Sequence, residues 1–427
     1  MIALLLTALV IAQDSMRATH PLELGDAYRA ARDRSPRIAA ARALVDAARA
    51  RASLATRRPD PQVQFGIMNY TIPGLRPMDA VGMTQLQVMQ MIPIGGKLEL
   101  AGRVAAASAG GQAERAREVD WEVRATVAAA FYDRYAVDRS LSIDRETLRL
   151  LEDILSTVEA MYRVGEARQT DVLRAQVEIA RMAQDTLRTT AMRLAMTARL
   201  NSVMDRPADE PLGQPVPPAF PDSLPLLDSM LRDAVANRPL LRAGARDVEA
   251  VTLQAALAGR EIWPDITVGF QYGQRGGVGG TERMGSFMVG GTVPLFAKRR
   301  QLSTREEAAA MLAMKGADLA AMRAETQFAV AEAHATLVRA RNLGSMYRST
   351  LFPQAEAAVA SALAAYRVGA VDFMTLLDNR TNLNRYRKEL VELEADEGKA
   401  WANLEMQLGR ELFNPVSGAP RTASARN

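Results

Sequence analysis

From Leu22 to about Arg57, apolar residues return at intervals of three and four: Leu24, Ala27, Ala30, Ala31, Ile38, Ala41, Leu44 and Ala48. That period predicts one amphipathic helix. Arg58-Pro59-Asp60-Pro61 stops it, and the period then changes to two. Val63, Phe65 and Ile67 alternate with Gln62, Gln64 and Gly66, which predicts a strand. A polar Pro/Gly loop over about Thr71 to Gly82 leads to a second alternating run. It has Leu86, Val88 and Ile92 on one face and Gln85 and Gln87 on the other, and Pro93 closes it. From Lys97 to Val164 there is no proline, and an apolar seam runs through Leu148, Leu151, Leu155, Val158 and Met161. A helix of this extent spans roughly 100 Å at about 1.5 Å per residue, and such lengths call for coiled-coil packing. Gly165 offers a break, and a second helix, about Thr170 to Val203, returns.

After a proline-rich linker over 206–225, which can be neither helix nor central strand, the plan repeats. Leu226 to Gly259 is predicted as helix, Ile266 to Gly273 as a strand, and Arg275 to Gly285 as a Gly-rich loop. Phe287, Val289 and Val293 mark a fourth strand. A long helix over about Arg300 to Val368 should be kinked at Pro353. About Phe373 to Gly409 returns, and a Pro/Gly/Ser/Ala-rich tail over 413–427 reads as disordered. The repetition extends to words. Tyr162-Arg163-Val164-Gly165 returns as Tyr366-Arg367-Val368-Gly369, Ser35-Pro36 as Arg238-Pro239, and Ile92-Pro93 as Val293-Pro294. An interval of roughly 200 residues is far beyond the 20–50 of solenoid repeats. The chain therefore reads as two copies of one unit, 22–205 and 226–412.

Each copy holds two strands of about ten residues, apolar on one face and Gln, Thr, Ser or Gly on the other. A soluble sheet with one wet face has this pattern. So does a membrane barrel with lipid outside and a polar lumen, and about ten residues is the span a tilted strand needs. Tyr70 and Tyr272 near one end, with Trp263 and Phe296 near the other, suit interfacial aromatic belts. Four strands cannot close a barrel, and an open edge is not tolerated in lipid, so a channel built this way has to be an oligomer.

Composition narrows the classes. Hydrophobic residues at 48% support a real core, while aromatics at only 5% favour helices packed closely side by side. A net charge of +4 with no concentrated basic patch argues against nucleic acid as a partner. Without cysteine there are no disulfides, thiolate metal sites or lipidated N-terminal cysteine. Met1 to Ala12 is an apolar run ending in small residues, too short for a membrane span and read as a secretory signal, although no Lys or Arg precedes it.

At the two breaks the chain resembles the TolC family of outer-membrane efflux channels. The first reads Tyr162-Arg163-Val164-Gly165, then Thr170-Asp171-Val172-Leu173 with Gln176; the second reads Tyr366-Arg367-Val368-Gly369 and later Leu376-Leu377-Asp378. The resemblance covers about Leu22 to Leu412. It implies an α+β membrane channel in which long antiparallel coiled-coil helices form a periplasmic tunnel. Four strands per protomer would join a shared twelve-stranded barrel in a homotrimer set in outer-membrane lipid. It implies the exit duct of a tripartite pump, fed by an inner-membrane transporter, RND-type pumps among the candidates, through a periplasmic adaptor. Arg163, Val164, Gly165, Arg367, Val368 and Gly369 would be the adaptor-contact tips, and Asp171, Tyr366, Thr375 and Asp378 the periplasmic gate. The chain has Thr375 and Val371 where the family's best-known members carry Asp and Arg. Arg58-Pro59-Asp60-Pro61 and Ile92-Pro93-Ile94-Gly95-Gly96-Lys97 resemble the CzcC/CusC-like heavy-metal subgroup.

The 21 methionines, with Met83, Met89 and Met91 close together, read chiefly as core and barrel filler. Two histidines and no cysteine give no dedicated metal site, no cofactor is expected, and nothing resembles a nucleophile elbow, phosphate loop or paired-carboxylate motif. The alternative to a channel is a soluble periplasmic coiled-coil adaptor or scaffold, with the alternating runs in a small β-domain.

Overall fold

The structure is a computed structural model. It describes residues 20–78, 81–277, 280–292 and 297–412. The signal read at Met1 to Ala12, the tail over 413–427, and Val293 and Phe296 lie outside the described residues. In chain order the elements are β1 (Leu22–Glu23), α1 (Leu24–Arg34), α2 (Pro36–Ala55), β2 (Gln62–Met68), β3 (Met83–Ile92), α3 (Lys97–Arg163) and α4 (Gln169–Val203). The second half runs β4 (Pro215–Val216), α5 (Leu227–Asn237), α6 (Pro239–Arg260), β5 (Ile266–Gly277), β6 (Gly280–Gly291), α7 (Ala297–Met346), a π-helical turn (Tyr347–Leu351), α8 (Phe352–Arg367) and α9 (Phe373–Leu408). Residues 41–116 with 240–323 form one compact unit, and the remainder forms another. Each half of the chain contributes to both.

Two expected single helices are each split. Ser35 (φ −58°, ψ 119°) separates α1 from α2, and Arg238 (φ −60°, ψ 123°) separates α5 from α6. The cause is local: a proline's Cδ crowds the residue before it out of helical space, while Pro36 and Pro239 suit the first position of the next helix. At the second break the Arg238 side chain is buried, donating through Nε to Glu118 Oε1 (3.0 Å) and through a terminal nitrogen to Thr326 Oγ1 (2.9 Å). Within the proline-rich linker, β4 pairs in parallel with β1.

Pro353 interrupts the last long helix as the pattern predicts, and the interruption takes the form of the π-helical turn over Tyr347–Leu351. Proline supplies no N–H and its ring presses on the carbonyl four residues back, Ser349; a wider turn accommodates both.

The unit formed by 41–116 and 240–323 carries an antiparallel sheet in the order β2-β3-β5-β6. The expected loop over Arg275 to Gly285 is instead mostly strand. β5 and β6 stay in register to Gly277↔Gly280, and Arg275 pairs with Glu282 across the ladder (2.7 Å). Glycine is a weak strand former, but an unbroken ladder and a cross-strand ion pair outweigh that preference. The register sorts the side chains by face. Val63, Val88, Phe270 and Phe287 form one cross-strand row on the apolar face, and Gln64, Gln87, Gln271 and Ser286 form one on the other. The apolar face is uncovered in the protomer: Phe65 is 73% and Phe287 71% exposed.

The other unit has a conventional core. Phe131, Tyr132, Leu24 and Leu200 are buried in one cluster, and Trp401, Leu337, Leu404 and Met230 in a second. Phe220 from the linker lies between Tyr132 and Trp401, with ring centroids 6.2 and 6.1 Å away. Ala27, Ala31, Ala128, Ala130, Ala234, Ala333 and Ala400 are buried in these clusters, where small side chains allow helices to approach closely.

Candidate functional site

Two helix ends in the second unit carry the repeated tetrapeptide, and they fold alike. Gly165 (φ +82°) donates its N–H to the Tyr162 carbonyl (3.0 Å), and Glu166 donates to that of Met161 (2.8 Å). Gly369 (φ +70°) donates to Tyr366 (3.0 Å), and Ala370 donates to Ala365 (2.9 Å). Both are Schellman closures, in which a left-handed residue turns two amides back onto the last open carbonyls. A side chain on that residue would be strained, which is why glycine stands there. The closure leaves the preceding residues outward: Val164 is 70% and Val368 79% exposed, and Arg163 and Arg367 are exposed as well.

The returning helices start differently. α4 has Arg168 at its N-cap, and Asp171, in the first turn, accepts a long bond from the Arg168 N–H (3.4 Å). Asp171 thus stands at the third position of α4, with Arg168 as the cap. At α9 the cap is Asp372, whose Oδ1 accepts from the Thr375 N–H (3.0 Å) and the Thr375 hydroxyl (2.6 Å). Those two bonds hold the Asp372 carboxyl below its ordinary pKa. Asp372 escaped the motif reading, although an Asp three residues before a Thr at a helix start is itself a cap signal.

Tyr366 is 5% exposed, packed among Val158, Ala175, Ala362, Phe373 and Leu376, with its ring 5.6 Å from that of Phe373. Its hydroxyl has no hydrogen-bond partner among the described residues. Burial raises its pKa, and the negative charge of Asp171 raises it further. The fold thus brings Asp171 and Tyr366 of one protomer into electrostatic contact without a bond between them. Thr375 is engaged by Asp372, and Asp378 is exposed one turn further along α9. Val371 and Leu377 are half-buried against the apolar cluster, and Met374 is half-buried as well.

In the sheet-bearing unit, the Ile92–Lys97 segment is a strand-to-helix junction. Gly95 (φ +75°) and Gly96 (φ +73°) turn β3 into α3. A β-carbon on Gly95 would stand 3.2 Å from the Trp263 ring. Lys97 Nζ then donates to the Trp263 carbonyl and to Asp265 Oδ1, both at 2.8 Å, tying the start of α3 to the entry of β5. Pro59, in the other junction motif, accepts through its carbonyl from Gln90 Nε2 (2.7 Å). Trp263 is half exposed at this end of the sheet, while Tyr70 at the other donates to or accepts from Thr84 Oγ1 (3.1 Å).

Among the described residues no group of three or more His, Cys, Asp or Glu side chains could hold a metal ion, and no helix is long and apolar enough to cross a membrane. Curated protein sequences give no match. Solved structures do, at the level of fold. CusC superposes with a TM-score of 0.79 at 17% identity, over 92% of this chain and 93% of that one. VceC from Vibrio cholerae gives 0.77 at 16% identity, over 91% and 96%. The open-state MtrE outer membrane channel of Neisseria gonorrhoeae gives 0.77 at 15% identity, over 94% and 91%. The sequence profile of the outer membrane efflux proteins matches residues 27–204 and 230–410, one segment in each half. With both halves matched and the long helices and four-stranded sheet of such channels in place, the chain belongs to the outer membrane efflux protein family.

Proposed function

We propose that three copies of this chain pool their sheets into one closed twelve-stranded barrel in the outer membrane, with the long helices forming a tunnel in the periplasm. The observation that carries this reading is the sheet: among the described residues β2 and β6 are its outer strands, and the middle of one face, Val63, Phe65, Val88, Phe270, Phe287 and Val289, is apolar and exposed. Joining β6 of each protomer to β2 of the next removes every edge and turns the apolar face to lipid. The duct is the passive exit of a tripartite pump, receiving cargo from an inner-membrane transporter, RND-type pumps among the candidates, through a periplasmic adaptor. The exposed Arg-Val pairs at the tips support adaptor contact there. The two junction motifs, which resemble the heavy-metal subgroup, support heavy-metal cations as cargo. Native mass spectrometry in mild detergent is expected to give a trimer; monomers alone would overturn the channel.

Asp171 and Tyr366 hold the tips shut in this reading. The Tyr366 hydroxyl is a donor without an acceptor, beside a carboxylate whose bond to the Arg168 N–H is long. In the assembled closed state the hydroxyl donates to the carboxylate. Such a charge-assisted bond contributes about 1.5–3 kcal/mol, in three symmetric copies. Asp378, repeated about the axis, forms an acidic constriction that attracts cations. Asp171→Ala combined with Tyr366→Phe is expected to raise single-channel conductance in planar bilayers, and Asp378→Asn to lower cation selectivity. If both quantities stay at wild-type values, the gate lies elsewhere, at the apolar residues Met374 and Leu377.

A further inference from the structure

The face of the sheet opposite the apolar one is not simply polar. Its cross-strand rows are Met68–Met83–Arg275–Glu282, Gly66–Gln85–Gly273–Met284, Gln64–Gln87–Gln271–Ser286 and Gln62–Met89–Gly269–Met288, followed by Met91–Thr267–Gly290. Six methionines from three strands share this face. They fall into two groups of three, separated by the glutamine row: Met68, Met83 and Met284 on one side, Met89, Met91 and Met288 on the other. Glycines open the space they enter. A β-carbon at Gly269 would stand 3.2 Å from Met89 Cγ and 3.6 Å from Met288 Cε, and one at Gly273 would stand 2.7 Å from Met83 Sδ. Met89 of β3 and Met288 of β6 therefore reach over Gly269 from either side of β5, and Met83 of β3 covers Gly273, with Met284 of β6 beyond it. Among the described residues this face carries no histidine, and its one carboxylate, Glu282, is engaged by Arg275.

We propose that these two groups are successive binding sites for a soft monovalent cation, Cu(I) or Ag(I), on the wall of the channel. The inference rests on the reading above in taking this face as the lumen. It deepens that reading by choosing within the heavy metals. Thioether sulfur is a soft ligand that suits Cu(I), whereas hard and borderline divalent ions want carboxylate, imidazole or thiolate, which this face does not offer. Two or three thioethers with neutral amides between the groups make weak, repeated sites rather than a trap, and transit needs sites an ion can leave.

The test uses purified full-length protein and silver nitrate in a halide- and thiol-free buffer, followed by titration calorimetry and native mass spectrometry. About two Ag(I) per protomer are expected, with Zn(II) binding at least tenfold more weakly. Met89→Leu with Met288→Leu should remove one of them, and Met68→Leu with Met83→Leu the other. Leucine conserves volume, so the sheet is kept. Met192→Leu, at an exposed helical position in α4, should change nothing. Ag(I) should also lower single-channel conductance reversibly in the wild type and not in the four-fold leucine variant. Wild-type silver stoichiometry in the leucine variants, no silver bound by the wild type, or zinc bound as well as silver would each overturn the proposal. Each site lies within one protomer, so the two readings fail separately. Silver binding by a protein that forms no conducting trimer keeps the sites and sinks the channel. A conducting trimer indifferent to silver does the reverse.

Discussion

Gly398→Val is expected to remove most folded protein from the outer membrane. Gly398 lies in α9 against the Tyr132 ring, and a β-carbon there would fall on the Cζ and Cε atoms, well inside van der Waals contact. The ring cannot step aside. Tyr132 is 1% exposed, with Phe131 edge-on at 5.4 Å and Phe220 at 6.2 Å, and Phe220 is itself backed by Trp401. Overpacking of this kind costs about 1–3 kcal/mol or more, and valine adds two further methyls where even one carbon has no room. Sign is the discriminating feature. In an open helix, replacing glycine with alanine stabilises by about 0.5–1 kcal/mol. A β-carbon at Gly316 in α7 would meet nothing within 4 Å outside its own helix backbone, so Gly316→Ala should gain in thermal stability while Gly398→Ala loses. Tyr132→Ala alone should destabilise by leaving a cavity, yet partly rescue Gly398→Val by supplying space. Thermal unfolding and the amount of protease-resistant protein in membranes read all of these. A Gly398→Val protein with wild-type stability would show that this contact does not hold the α3–α9 packing.

Gly165→Pro and Gly369→Pro are each expected to abolish efflux while the oligomer remains in the membrane. Both glycines sit at positive φ and donate their N–H into the closure of the preceding helix. Proline has φ near −65° and no N–H, so it loses the conformation and the bond together. The damage stays local, because a β-carbon at either position would meet no other atom within 4 Å. What changes is the direction in which Arg163-Val164 and Arg367-Val368 are presented. Asparagine tolerates the left-handed region and keeps its N–H, so Gly165→Asn and Gly369→Asn should retain most efflux. Efflux in the producing cell, measured beside the membrane level of trimer, separates a tip defect from an assembly defect. Wild-type efflux from both proline variants would take the tips out of the mechanism.

What the sequence determined by itself is the set of elements and their repetition. Local periodicity suffices for the long helix over Lys97–Arg163, the alternating strands and the glycine breaks at Gly165 and Gly369, because each is encoded by residues a few positions apart. The helix splits at Ser35 and Arg238 were legible too, in the prolines that follow, but the apolar period running through them masked the steric rule. The hairpin over Arg275–Gly285 was not legible. Its glycines speak for a loop, and only a neighbouring strand in register, with Glu282 opposite Arg275, makes them strand. Contacts between distant segments were decided by tertiary structure alone. No spacing rule puts Tyr366 beside Asp171, Gly398 on Tyr132, or Met89 and Met288 on either side of Gly269. Periodicity assigns a residue to a face of its own element. Which faces meet, and in what register, depends on packing between elements far apart in the chain, where local pattern carries no information.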